Sequence, residues 1–215
     1  TGLQIKSIDP LTENQIRTFR SFGHNNHMFL HGVAGTGKTF LSMYLSLYKL
    51  LENPTAETKR LIIVRSVVPT RDMGFLPGNK AEKIKEYEAP YQGICSELFG
   101  RDDAYELLKQ KGMIEFIPTS FLRGITLNNS IILVDESQNL SGRELNTLIT
   151  RVGEESQIIF AGDYKQSDFE ERHGEKKDIL TFMKILRQIE SFDFVEFIED
   201  DIVRSGIVKQ YLISK

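Results

Sequence analysis

Gly32-Val33-Ala34-Gly35-Thr36-Gly37-Lys38-Thr39 fits the spacing G-x-x-x-x-G-K-[ST] at every fixed position. Each residue type there answers a chemical need. Gly32, Gly35 and Gly37 let the backbone take positive φ, so the N–H groups along Val33, Ala34 and Thr36 can crowd around phosphate oxygens. A helix starting near Lys38 aims its positive N-terminal end at the same anion. Lys38 adds a point charge for the β- and γ-phosphates, and the Thr39 hydroxyl is a hard oxygen ligand for Mg²⁺. The competing reading is a glycine-rich turn with an incidental lysine. The setting favours phosphate, because an apolar strand-like run precedes the segment and an amphipathic stretch follows it.

A second set of groups stands at the ends of two apolar runs. Ile131-Ile132-Leu133-Val134 leads into Asp135-Glu136. In an open α/β sheet the carboxyl ends of the strands face the crevice where nucleotides sit. Asp135 is then placed for the Mg²⁺ shell, and Glu136 for orienting a water against the γ-phosphate of ATP. Two adjacent carboxylates suit hydrolysis better than mere nucleotide binding; the bland alternative is a pair of solvated loop caps. Ile158-Ile159-Phe160-Ala161-Gly162-Asp163-Tyr164-Lys165-Gln166 repeats the design. Gln166 is a candidate reporter of the γ-phosphate, set against an ordinary polar loop residue. Asp163 either supports Mg²⁺ or braces the loop.

These residues must be carried by elements. Short apolar runs of strand length occur at His27–Leu30, Leu61–Val64, Ile114–Ile117, Ile131–Val134 and Gln157–Phe160. Continuous runs of this kind read as strands buried on both faces, as in a parallel sheet. Helical patterns alternate with them: Lys38 to Leu51, Lys80 to Phe99, and a segment near Arg143–Arg151. The expected architecture is a three-layer α/β/α domain with a mainly parallel sheet, and residues 1–215 read as one domain. Gly112, Gly153 and Gly174 punctuate the helices, and Pro90 should break or kink the one that contains it. The least regular piece runs from Val67 to Asn79, and a loop of that length is usually functional or mobile.

Composition narrows the class. Hydrophobic residues make up 40% and charged residues 27%, as in an ordinary globular protein. The single Cys95 excludes a disulfide framework and a cysteine zinc site. His24, His27 and His31 have no cysteine beside them and read as strand-flanking residues rather than metal ligands. No run of about 18 apolar residues and no signal-peptide core is present, so the expectation is a cytoplasmic protein with no membrane segment. A net charge of −3 argues against a broad duplex-binding face, while leaving room for a local basic loop.

The chain resembles the PhoH family of phosphate-starvation-inducible ATPases from bacteria and their phages, from about Gln15 to Tyr211. The likeness rests on Gly32–Thr39, Gly74-Phe75-Leu76-Pro77-Gly78, Arg123-Gly124 with Thr126-Leu127-Asn128, Asp135-Glu136-Ser137-Gln138-Asn139, Gly162-Asp163 with Gln166, and Asp201-Ile202-Val203-Arg204. The phosphate and acid motifs are common to P-loop ATPases; the Gly-Phe-Leu-Pro-Gly and Asp-x-Val-Arg segments are more particular. Two departures stand out. Ser137 occupies a position where alanine is common, and Ser205-Gly206 follow Arg204 where His-Pro is usual. The resemblance implies a RecA-like core related to the first motor domain of superfamily 1 helicases, ATP hydrolysis, assembly into rings such as hexamers, and a link to RNA.

Helicase relatives complete their ATP site with arginines from a second motor domain, which this chain lacks room for. An arginine from a neighbouring subunit would then supply the effect, with Arg204 the first candidate and Arg123 or Arg151 behind it; the alternative for each is a surface ion pair. Gln15 has two readings. Thr12-Glu13-Asn14-Gln15 fits a capping box in which Gln15 returns to the Thr12 N–H. Gln15 also lies where helicase-like proteins keep an adenine-reading glutamine. For single-stranded RNA the candidates are Arg65, Ser66, Arg71 and Lys80 around the long loop, against simple loop solvation. The leading reading is an oligomeric Mg²⁺-dependent ATPase coupled to RNA. A nucleotide-gated binding module with slow hydrolysis is the alternative, and a P-loop phosphotransferase is a third.

Overall fold

The computed structural model of the chain describes residues 2–67, 80–164 and 175–203, without the side chains of 80–83 and 175–178. Six strands are found among these: β1 (His27–Gly32), β2 (Arg60–Arg65), β3 (Ile114–Pro118), β4 (Ser130–Val134), β5 (Gln157–Ala161) and β6 (Phe192–Phe197). The helices are α1 (Glu13–Gly23), α2 (Lys38–Glu52), α3 (Lys80–Phe99), α4 (Ala104–Gln110), α5 (Gly142–Ile149) and α6 (Glu175–Leu186). The strands form one sheet in the order β3-β2-β4-β5-β1-β6, and every pairing is parallel.

Period-two alternation along the strands sorts the core into two layers. Met28, Leu30, Leu61, Ile63, Ile131, Leu133 and Ile159 point to one face, under α2, α3 and α4. Phe29, Ile62, Val64, Ile132, Val134, Ile158 and Phe160 point to the other, under α5 and α6. The central strands β4 and β5 are buried along their whole length, which explains their unbroken apolar sequences. The architecture is therefore the α/β/α sandwich expected from the sequence.

Three features differ from that expectation. β6 is an added strand. Its sequence Phe-Asp-Phe-Val-Glu-Phe has its apolar residues interrupted by two acids because it is an edge strand, with only part of its length buried. A search for continuous apolar runs passes over it. Second, α1, whose start the Thr12 capping signal marks, is tied to β6: Ser21 Oγ near its end and Asn26 Nδ2 just beyond it donate to Asp193 Oδ2 at 2.5 and 2.8 Å. Third, Pro90 does not break α3, which runs unbroken from Lys80 to Phe99. Pro90 and Glu86 both face solvent, so water can serve the Glu86 carbonyl that Pro90 leaves without a donor. No helix among the described residues is long and apolar enough to cross a membrane.

Because the sheet is all parallel, every strand delivers its carboxyl end to the same edge. The glycine loop after β1, the acids after β4, Asp163 after β5 and Arg65 at the end of β2 all emerge there.

Candidate functional site

The loop from Gly32 to Gly37 folds as its glycines permit. Gly32, Gly35 and Gly37 have φ of 119°, 76° and 84°. Gly37 is the N-cap of α2 and offers no side-chain cap, so the first N–H groups of a 15-residue helix are left for an anion. Gly32 is also forced by packing. A Cβ on it would stand 2.0 Å from the Phe197 carbonyl oxygen, the same oxygen that accepts the Val33 N–H at 2.9 Å. The edge strand β6 thus braces the first turn of the cradle.

Lys38 is 6% exposed and folds back across the loop. Its ammonium donates to the Val33 carbonyl at 2.7 Å and to Thr36 Oγ1 at 3.2 Å. It also pairs with Asp163 Oδ1 at 2.9 Å and lies 5.9 Å from the Phe197 ring centroid. Thr36 is closed off by its own bond to the Val33 carbonyl at 2.9 Å.

The acid pair divides in direction. Asp135 is buried, and its two oxygens accept from Thr39 Oγ1 at 2.6 Å and from the Tyr91 hydroxyl at 2.8 Å. Glu136 sits in the left-handed region (φ 50°, ψ 42°), a strained setting for a non-glycine residue that turns the chain sharply after the strand. Its carboxylate accepts from Gln138 Nε2 at 2.5 Å. Gln138 in turn accepts the Asp163 N–H at 3.1 Å on its Oε1. Ser137, fully buried, donates to the Ala161 carbonyl at 3.0 Å. A continuous chain of contacts therefore runs Lys38–Asp163–Gln138–Glu136 across the tips of β1, β5 and β4. Gly162 has no room for a side chain here, since a Cβ would meet Ser137 Oγ at 2.5 Å and Gln138 Oε1 at 2.9 Å.

Tyr91 and Gln138 are the participants that the sequence did not assign. Gln138 belongs to the Asp-Glu-Ser-Gln-Asn run, and its polar side chain two residues past Glu136 was the available signal. Tyr91 gives no such signal, because it reads as a buried aromatic of α3. Burial, reinforced by the Asp135 carboxylate, pushes its phenol well above the ordinary value, so it stays a proton donor.

The other candidates fall as follows. Gln15 is buried, and its Oε1 accepts the Leu11 N–H at 2.6 Å rather than the Thr12 N–H of the expected capping box. Thr12 is the N-cap; it accepts the Gln15 N–H at 3.3 Å and donates its hydroxyl to Asp201, which also holds Asn14. The capping glutamine therefore closes on the residue before the cap. Arg65 lies 5.8 Å from the Tyr87 ring centroid, and its charge acts on the Tyr91 phenol. Ser66 lies beside Glu144 of α5. Arg123 is exposed, and Arg151 lies near the amino ends of β4 and β5, the edge opposite the cradle. Lys80 opens α3. Arg71, Gln166, Arg204 and the Gly74–Gly78 segment lie outside the described residues. His27 and His31 lie within β1 rather than beside it, with His27 Nδ1 accepting the Ile158 N–H at 3.2 Å, and His24 is the C-cap of α1.

Can this site take a nucleotide and a metal? A cavity of about 300 Å³ opens beside the cradle, lined by Gly32, Val33 and Glu196–Asp200. A larger one of about 740 Å³, between α5 and α6, shares no residue with the cradle or acids. Thr39 and Asp135 converge as an all-oxygen pair, the donor chemistry of a hard divalent cation that completes its shell with phosphate and water. Both groups fit. Fold and site together define a P-loop nucleotide-binding domain of RecA-like α/β/α fold.

Similarity to known proteins places the chain more closely. A family model described as PhoH-like protein matches residues 7–213, and the chain belongs to that family. It is 30% identical over 208 residues to a PhoH-like protein of Bacillus subtilis, covering 96% of this chain and 63% of that one. It is 32% identical over 206 residues to a PhoH-like protein of Mycobacterium bovis, covering 95% and 57%. The chain thus spans less than two thirds of the length of these relatives. In fold it is similar to the Sulfolobus solfataricus SWI2/SNF2 ATPase core in complex with dsDNA, at TM-score 0.50 and 13% identity, covering 93% of this chain and 46% of that one.

Proposed function

We propose that the chain binds ATP with Mg²⁺ on the Gly32–Thr39 cradle and hydrolyses its γ-phosphate, with the turnover coupled to single-stranded RNA. One observation carries the reading: the Thr39 hydroxyl and the Asp135 carboxylate meet at 2.6 Å beside the glycine loop and Lys38. Backbone N–H groups from Ala34 to Thr39 and the Lys38 ammonium would hold the phosphates, the Val33 N–H being given to the Phe197 carbonyl. Thr39 and Asp135 would hold Mg²⁺, which when bound neutralises charge building on the phosphoryl oxygens. Glu136, oriented through Gln138, would align the attacking water and accept its proton. Gln166 would sense the γ-phosphate, and Gln15 would meet the adenine edge.

Residues 1–215 are read as one domain that acts as an oligomeric ring, with Arg204 of a neighbouring subunit completing the site. Such a finger is typically worth about 10³–10⁵ in rate. Arg65, Ser66, Arg71 and Lys80 are proposed to touch the RNA backbone. The nucleotide-gated module is supported by a different observation, the Lys38–Asp163 pair, which a γ-phosphate would have to displace.

Phosphate release is the test, with and without single-stranded RNA, for wild type and Glu136→Gln. RNA-stimulated turnover abolished in Glu136→Gln, with ATP binding retained, is the expected result. Slow turnover blind to RNA would favour the gated module. Phosphate arriving on an organic acceptor would make it a phosphotransferase. An Arg204→Ala chain with unchanged turnover, or a fully active monomer by light scattering, would remove the finger.

A further inference from the structure

Tyr91 is 0% exposed, yet its hydroxyl stands between two groups of opposite charge and different location. On one side it donates to Asp135 Oδ2 at 2.8 Å, while Asp135 Oδ1 accepts from Thr39 at 2.6 Å. On the other lies the Arg65 guanidinium, 5.8 Å from the Tyr87 ring centroid, whose positive charge acts on the phenol against that of Asp135. Tyr87 and Tyr91 are one helical turn apart on α3, so both face the exit of β2. A phenol has one proton to give and lone pairs to receive. Donating to Asp135 therefore leaves its lone pairs available to the nearby Arg65 cation, which polarises the phenol toward Asp135 in a buried setting.

We propose that Tyr91 is a positioning residue: it fixes the Asp135 carboxylate for the divalent cation and ties that carboxylate to Arg65 at the strand edge. The proposal rests on the nucleotide reading above and deepens it, because it names the route by which an occupant of the Arg65 edge would alter metal and nucleotide binding. Phenylalanine at position 91 keeps the ring, which packs 6.0 Å from that of Phe116, and deletes only the hydroxyl. Asp135 would then keep Thr39 as its remaining side-chain partner among the described residues.

Calorimetric titration of ADP, with and without Mg²⁺, provides a readout separate from turnover. Wild type should bind ADP more tightly when Mg²⁺ is present. In Tyr91→Phe that gain should shrink about 10-fold or more, as for groups that orient metal ligands, while Mg²⁺-free affinity stays at the wild-type value. Arg65→Gln should reduce the same gain, and the double variant should lose no more than Tyr91→Phe alone. An unaltered Mg²⁺ gain in Tyr91→Phe would overturn the proposal, as would strictly additive losses in the double variant. A fall in Mg²⁺-free affinity equal to the fall with Mg²⁺ would overturn it too, showing a packing role instead. Wild type that binds no ADP under either condition would instead remove the nucleotide reading itself.

Discussion

Replacing Gly32 by Ala tests whether the edge strand β6 holds the phosphate cradle in shape. The added Cβ would stand 2.0 Å from the Phe197 carbonyl oxygen and 2.8 Å from its carbonyl carbon and nitrogen. Normal contact needs about 3.5 Å, so β1 and β6 would have to separate by roughly 1.5 Å at that point. They cannot do so quietly, because the two are paired in register from His27↔Phe192 to Gly32↔Phe197. The bond from the Val33 N–H to the same carbonyl would stretch or break, at about 1 kcal/mol. Holding a non-glycine residue at φ 119° costs about 1–3 kcal/mol more, and the overpacked contact about 1–3 kcal/mol. The least total is about 3 kcal/mol, which for a chain of this size lowers Tm by roughly 6–12 °C. Thermal unfolding by dye fluorescence reads the shift, and ADP titration reads the cradle; both should fall. Gly93→Ala is the control: its Cβ would meet nothing within 4 Å on α3, and alanine there should leave Tm unchanged or raise it. A Gly32→Ala protein melting within about 2 °C of wild type, with unimpaired ADP affinity, would refute the reasoning.

Other outcomes follow from buried groups. Burial, aided by the cations Arg187 and Lys38, pushes the His31 imidazole down from 6.5 to about 4, so the unfolded chain binds the extra proton between those values. Stability should therefore fall as pH drops from about 6.5 to 4, by up to roughly 3 kcal/mol, and His31→Gln should lose less; equal losses in urea midpoints would sink this. Burial pushes the Cys95 thiol up to about 12, so a thiol reagent should label it only in denaturant, and fast labelling of the native protein would contradict the packing. Lys109 Nζ meets the buried Glu88 carboxylate at 2.7 Å, and Tyr105 donates to it at 3.3 Å. Lys109→Met should cost about 2–3 kcal/mol and Glu88→Gln in that background should recover part of it; a neutral Lys109→Met would show the carboxylate is otherwise solvated.

Much of the site was legible along the chain because its chemistry is local. Eight consecutive residues carry the glycines that need positive φ, the lysine and the hydroxyl, so the cradle could be read without knowing its neighbours. Five strands were legible for a related reason: burial on both faces demands continuous apolar runs such as Ile131–Val134 and Gln157–Phe160. Tertiary structure alone decided what stands beside these pieces. It laid β6 against Gly32, although partial exposure had let two acids interrupt that strand's apolar run. It turned Asp163 onto Lys38 and Gln138 between Asp163 and Glu136, contacts that depend on β5 lying between β1 and β4 in the sheet. It set Tyr91 against Asp135, a contact spanning 44 positions that no spacing rule encodes. A loop's conformation follows from its own side chains, whereas the meeting of two strand ends follows from sheet order, which the whole chain fixes at once.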